Sequence, residues 1–265
     1  ATEYDELDNL IQHSKAITAK KVARINDIRQ RLSTPHLTDR QRYEICMQLY
    51  NEYEAFRFDS ALVYANRTIL YAKRMRNEKY LAEAQLKKVH VHTLAAFFVK
   101  SRDLLDSIKV STLDARLTQA FHNEWYLLMS LLAEYTAGTQ LHASYEGRVE
   151  YYRRLILASP YKDTYAYVRA EMTELSERGH TQKAIGMLEN YLKRWRRTNH
   201  EYAMVCFDLA ELYGKLGNST KRLYYLVQSA ISDVYSSSKE NNSLRLLAGE
   251  LFEQGDVERA YNYMN

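Results

Sequence analysis

Two prolines, eight glycines and two cysteines in 265 residues leave little from which to build tight turns, sheets or a disulfide framework. A β-rich domain needs turn residues every 8–12 positions or so, and a chain this poor in them does not supply them. Cys46 and Cys206 stand some 160 positions apart, so both read as small apolar core residues rather than partners. No apolar run reaches the roughly 20 residues that span a bilayer, and no secretory leader stands at the start. Charge of one sign is also lacking: 37 basic residues against 33 acidic give +4, interleaved along nearly every segment as on solvated helix faces.

Catalytic addresses are missing too. GKLGNS at Gly214 has the wrong spacing for a phosphate loop, and HNEWY at His122 lacks the second histidine of a zinc-protease helix. His90 and His92 sit two apart, which on a helix separates them by about 200 degrees and denies them a shared metal. Glu171 and Glu174 read as a solvated helix face. The basic run LKRWRR, Leu192 to Arg197, is a nucleic-acid candidate only in isolation, because no basic and aromatic stripe recurs in register; its default is to close a helix C-terminus. No enzyme, no cofactor, no metal and no direct nucleic-acid contact is expected.

What is present is repetition. Gly179, Gly217 and Gly255 stand 38 residues apart, and seven positions before them come Met172, Ala210 and Ala248. Each glycine suits a left-handed helix end. Five residues on, Ala184 and Ala260 allow two helices to approach, and Arg222 breaks the rule in the middle copy. Upstream, Tyr43–Met75 reads as a hairpin turning at Arg57-Phe58-Asp59 with Ala61 at the small position. Glu78–Ile108 reads as another, with Ala96 in the turn and Ser101 where the alanine belongs. From Leu113 to Tyr161 the copy is stretched: a long apolar helix through Phe121, Trp125, Leu128 and Leu132 runs to Gly138, then a polar loop and a second helix from Tyr151 to Leu157. Five to six hairpins result, and such hairpins must stack to bury their apolar faces. The 23 tyrosines suit inter-helix gaps, with rings packed and hydroxyls at the wet edge.

From Tyr4 to Leu32, Leu7, Ile11, Ile17, Val22, Ile25, Ile28 and Leu32 recur at helical spacing without proline or glycine, predicting one long helix. It serves either as a dimerising coiled coil or as a cap along the first repeats; Ser14 and Lys21 spoil the stripe and favour the cap. Ser33-Thr34-Pro35 stops it, and Thr38 with Gln41 opens the next helix as a capping box. The divisions are thus 1–34, 35–112, 113–160 and 161–265.

Leu209, Ala210, Tyr213 and Gly217, and again Leu247, Ala248, Gly255 and Ala260, resemble the tetratricopeptide repeat. The resemblance implies an all-α, right-handed α-solenoid of helical hairpins, with helices about one turn longer than in the family's period of about 34. It also implies that first-helix positions line a concave groove for a protein or peptide: Arg169, Thr173 and Glu177, then Phe207, Glu211 and Lys215, then Asn242, Arg245 and Phe252. Tyr43, Tyr50, Tyr53 and His90 hold the same places upstream.

The runs from Asp39 to Met75 and from Leu223 to Asn265 resemble the extracytoplasmic repeat region of membrane-anchored regulators in Bacteroidetes. That resemblance implies a periplasmic, non-enzymatic sensor or interaction module, reaching a membrane only through a missing downstream segment, with a homodimer as one arrangement. The start at Ala1 and the end inside a hairpin's second helix fit an excised domain. A soluble cytoplasmic adaptor is the alternative.

Overall fold

The protein is described here from a computed structural model, which covers residues 2–240 and 242–264. These residues form α-helices and short 3-10 turns with no strand among them. Two helices come first, α1 (Glu3–Gln12) and α2 (Ser14–Gln30). Six pairs then follow in order. They are α3 (Asp39–Tyr53) with α4 (Phe58–Arg74), α5 (Glu78–Leu94) with α6 (Phe98–Ser107), α7 (Ala115–Tyr135) with α8 (His142–Leu157), α9 (Tyr165–Glu177) with α10 (Thr181–Leu192), α11 (His200–Lys215) with α12 (Ser219–Ser236), and α13 (Asn242–Glu253) with α14 (Val257–Met264). The chain divides into two compact units, Ile25–Ala170, and Ala1–Arg24 with Glu171–Asn265.

The expected left-handed turns are there. Gly179, Gly217 and Gly255 have φ of +79°, +70° and +89°, and a Cβ on any of them would meet nothing within 4 Å, so backbone conformation alone selects glycine. The amide of His180 donates to the carbonyl of Leu175 and that of Gly179 to Ser176, a Schellman closure that uses carbonyls a helix end would otherwise leave unpaired. Asn218 to Tyr213 and Asp256 to Leu251 repeat it. The same pattern closes α4, α5 and α12, through Asn77 to Ala72, Phe97 to His92 and Ser238 to Asp233, but there the left-handed residue is Arg76, Ala96 or Ser237, at φ of 53°, 61° and 52°.

In the 25–170 unit, the first hairpin turns at Glu54–Arg57, a few residues earlier than the sequence reading placed it, because Phe58 already starts α4. Ala61 and Ser101 are fully buried at the small-residue position, and the Ser101 hydroxyl, which helix crowding would otherwise strand, accepts from Thr93 Oγ1 at 2.9 Å. Thr38 and Gln41 form the expected capping box. In the stretched copy, Phe121, Trp125 and Leu128 enter a core with Leu86, Val89 and Leu105, and Trp125 stacks face to face on Tyr152 at 5.5 Å. Gly138 ends the α7 region at φ 81°.

In the terminal unit Ala184, Ala210, Ala248 and Ala260 are buried where hairpin helices meet. The exception, Arg222, is accommodated by a second change: Gly214 replaces the bulkier residues of the sister copies, Ser176 and Phe252. A Cβ at 214 would lie 2.6 Å from Arg222 Nη1. The guanidinium thus occupies the missing side chain's place and bonds Glu211 at 3.1 Å and Glu250 at 3.0 Å.

The first helix departs from expectation. It is interrupted at His13 (φ −98°, ψ 8°), and α1 packs on α12, not on the first repeats. Leu7 and Leu10 are its buried side chains. No glycine or proline marks the break; the docking of those two leucines, not local propensity, selects it. In α2 only Ile25 is buried.

Candidate functional site

The first helices of the terminal unit carry eight of the nine groove positions. Glu177, Glu211, Lys215, Asn242 and Arg245 are exposed, Phe252 is 63% exposed, and Thr173 and Phe207 are half-buried. Lys215 and Glu211 are among the positions tied to neighbouring side chains. Lys215 Nζ donates to Ser176 Oγ at 3.0 Å, one repeat length away, and Glu211 is held by Arg222, which also grips Glu250. The second helices on this unit are the ones that α1 covers: it packs on α12, and its Asp8 accepts from Tyr263 Oη (2.7 Å) and Arg259 Nε (3.2 Å) on α14. On α13, Asn242, Arg245 and Phe252 are exposed, while the second-helix surface is occupied.

Arg169 belongs to the 25–170 unit, where its guanidinium lies 5.7 Å from the Tyr126 ring centre. Its alkyl and cationic parts therefore have a packing role, and its replacement does not report on binding alone.

Three of the upstream groove candidates turn out to be core. Tyr43, Tyr50 and Tyr53 are buried. The Tyr43 hydroxyl donates to Glu83 at 2.8 Å and the Tyr50 hydroxyl to the Lys87 carbonyl at 3.1 Å, a repeat apart, while Tyr53 stacks on Tyr64 at 5.7 Å. A tyrosine at the first-helix position is long enough to cross to the next hairpin, so it spends its ring on packing and its hydroxyl on the neighbouring backbone.

His90 is different. Its Nδ1 lies 3.2 Å from Glu124 Oε1 and its Nε2 3.5 Å from Glu54 Oε1, with 26% of the side chain exposed. Burial on its own would lower the imidazole pKa; the Glu124 and Glu54 carboxylates outweigh that, and Lys87 on the same helix, and push it up to about 9. At neutral pH an imidazolium thus joins three successive hairpins. Sequence reasoning missed its partners, although the 34-residue interval between His90 and Glu124 falls about one helical turn short of the repeat spacing and was the available signal. His92 points elsewhere, buried with its ring against Phe97.

Cys46 and Cys206 are free and buried, and burial pushes both thiols up, Cys46 to about 11. In the LKRWRR run, Arg194 lies over Tyr191 and Arg197 pairs with Glu6. Among the described residues no group of three or more His, Cys, Asp or Glu side chains is placed to hold a metal ion, and no helix is long and apolar enough to cross a membrane.

Compared with known families, residues 11–265 match the model described as the SusR N-terminal TPR domain. The match begins after Leu10, so most of α1 precedes it. No curated protein matches the chain. Repeats of this class form helical solenoids whose general role is to contact other proteins, and they are generally not catalytic.

Proposed function

The chain belongs to the SusR N-terminal TPR domain family, and on that premise we propose that it is the non-enzymatic sensing and interaction part of a membrane-anchored transcriptional regulator of the Bacteroidetes kind. In this reading the repeats lie in the periplasm, membrane contact is supplied by a segment outside them, and the regulated output lies elsewhere in the protein. The partner is a protein or an extended peptide, with a second copy of the chain among the partners the reading admits. Nucleic acid is not contacted through these repeats.

The observation that carries the binding reading is the exposed α13 surface of the terminal unit. Asn242, Arg245 and Phe252 present an amide, a cation and an exposed aromatic ring along α13, handles that suit an extended peptide. The test is a binding measurement with the partner recovered from producing cells. Arg245→Ala with Phe252→Ala should weaken binding at least tenfold and leave the helical circular dichroism unchanged. Unaltered affinity would remove this surface from consideration. Location is tested separately, by protease access to the repeats in spheroplasts; a protected cytosolic species would leave the soluble adaptor instead.

A further inference from the structure

The docking of α1 combines a weak apolar contact with strong charge complementarity. Leu7 and Leu10 are its buried residues. Around them Glu6 accepts from both terminal nitrogens of Arg197, Nη1 and Nη2, at 3.1 and 3.2 Å, Asp8 accepts from Arg259 and Tyr263, and Arg259 lies 5.0 Å from the Tyr4 ring centre. An isolated helix of ten residues is marginal in water, so α1 persists through this surface. The surface complements an acidic helix bearing two leucines one turn apart.

The link to α2 is a single residue. His13 alone leaves helical geometry, and hydrogen bonding runs through it in both directions: its amide donates to the Asn9 carbonyl, and its own carbonyl accepts from Ala16 and Ile17. Returning this one residue to φ near −63° and ψ near −42° fuses α1 and α2 into the continuous helix that the sequence pattern favours. Because His13 lies between α1 and α2, that change re-aims the face of α1 that carries Glu6, Leu7, Asp8 and Leu10.

We propose that α1 is an exchangeable segment, docking either on its own terminal unit or on that of a second copy of the chain, with His13 as the hinge. In the exchanged state each copy fills the vacancy of the other with identical contacts, a reciprocal arrangement that closes as a two-fold dimer. The occupant is committed by chemistry: the acidic helix that fits Arg197 and Arg259 is the one this chain carries.

Charge reversal tests it. One variant carries Glu6→Arg and another Arg197→Glu. Alone, each sets like charges against each other whether α1 docks at home or on an identical copy, so each should run at the 31.2 kDa of a single chain in native mass spectrometry. Mixed one to one, both exchanged interfaces become complementary, and a species of twice that mass should become dominant. The double variant in one chain should regain wild-type behaviour. A mixture that stays at single-chain mass with unchanged helical signal would overturn the proposal, and so would a dimer formed by either variant alone, which would use some other surface. If a reversal at 6 or 197 impairs folding, Asp8→Arg with Arg259→Asp repeats the same logic on the second pair.

Discussion

The last three hairpins and the second hairpin reach the same turn geometry by different chemical means. In the last three the left-handed position between the paired helices is glycine each time, at Gly179, Gly217 and Gly255, and the residue seven before it is small or of medium size. In the second hairpin Ala96 holds it with a Cβ attached, as Arg76 and Ser237 do at the turns after α4 and α12, and around it inter-hairpin ties, Tyr43 to Glu83, Tyr50 to the Lys87 carbonyl and His90 to its two glutamates, cross from repeat to repeat. The glycine turns relax strain locally; the Ala96 turn tolerates strain because tertiary contacts over-determine it.

The largest expected effects come from cores common to both halves. Leu209→Ala and Leu128→Ala, each at a fully buried position, should cost about 2–5 kcal/mol, measured by denaturant unfolding. If one were silent, its half would not be a packed repeat. Next is Ala210→Leu, where overpacking a buried helix contact should cost about 1–3 kcal/mol.

The ionic tie of the 25–170 unit should be visible in pH. The folded pKa of His90 is raised above the unfolded value, so its contribution is complete below about pH 6.5 and is lost as pH rises through about 9. With the exposed quarter of the side chain discounted, the loss is on the order of 2 kcal/mol. His90→Gln should flatten that part of the stability profile. A profile that keeps its slope would place the titrating group elsewhere.

The turns themselves supply a comparison of sign. Gly217→Ala forces a Cβ into the left-handed region with no neighbour to clash with, so a loss of about 1 kcal/mol would be pure backbone strain. Ala96→Gly removes the same strain and should gain up to about 1 kcal/mol, less the added freedom of the unfolded chain. Equal signs at the two positions would refute the idea that the two turns differ in where strain is held.

Legibility follows the same division. Glycines at a 38-residue interval advertised the terminal hairpins, and small residues at Ala210, Ala248 and Ala260 fixed their register. The Ala96 turn was recoverable from hairpin pattern, since Ala carries no compositional signal for a left-handed residue. Arg222 looked like a defect because its compensation, Gly214, lies one turn back on the facing helix and has meaning only in three dimensions. Tyr43, Tyr50 and Tyr53 were assigned to a groove by position, whereas side-chain length decided their burial. The break at His13 had no signal beyond the flaw in the apolar stripe at Ser14: the periodicity that predicts a helix is local, and the surface that bends it lies about two hundred residues further along the chain, at Arg197, α12 and Arg259.

The chain has two tryptophans, and the fold gives one to each compact unit. Trp125 is stacked on Tyr152 within the 25–170 unit, and Trp195 is near Tyr191 in the other. Replacing either by phenylalanine leaves a single indole, so emission from Trp125 alone or Trp195 alone becomes a private optical channel for one half of the molecule. Unfolding, ligand arrival and helix exchange can then be timed separately in each half, with no label attached.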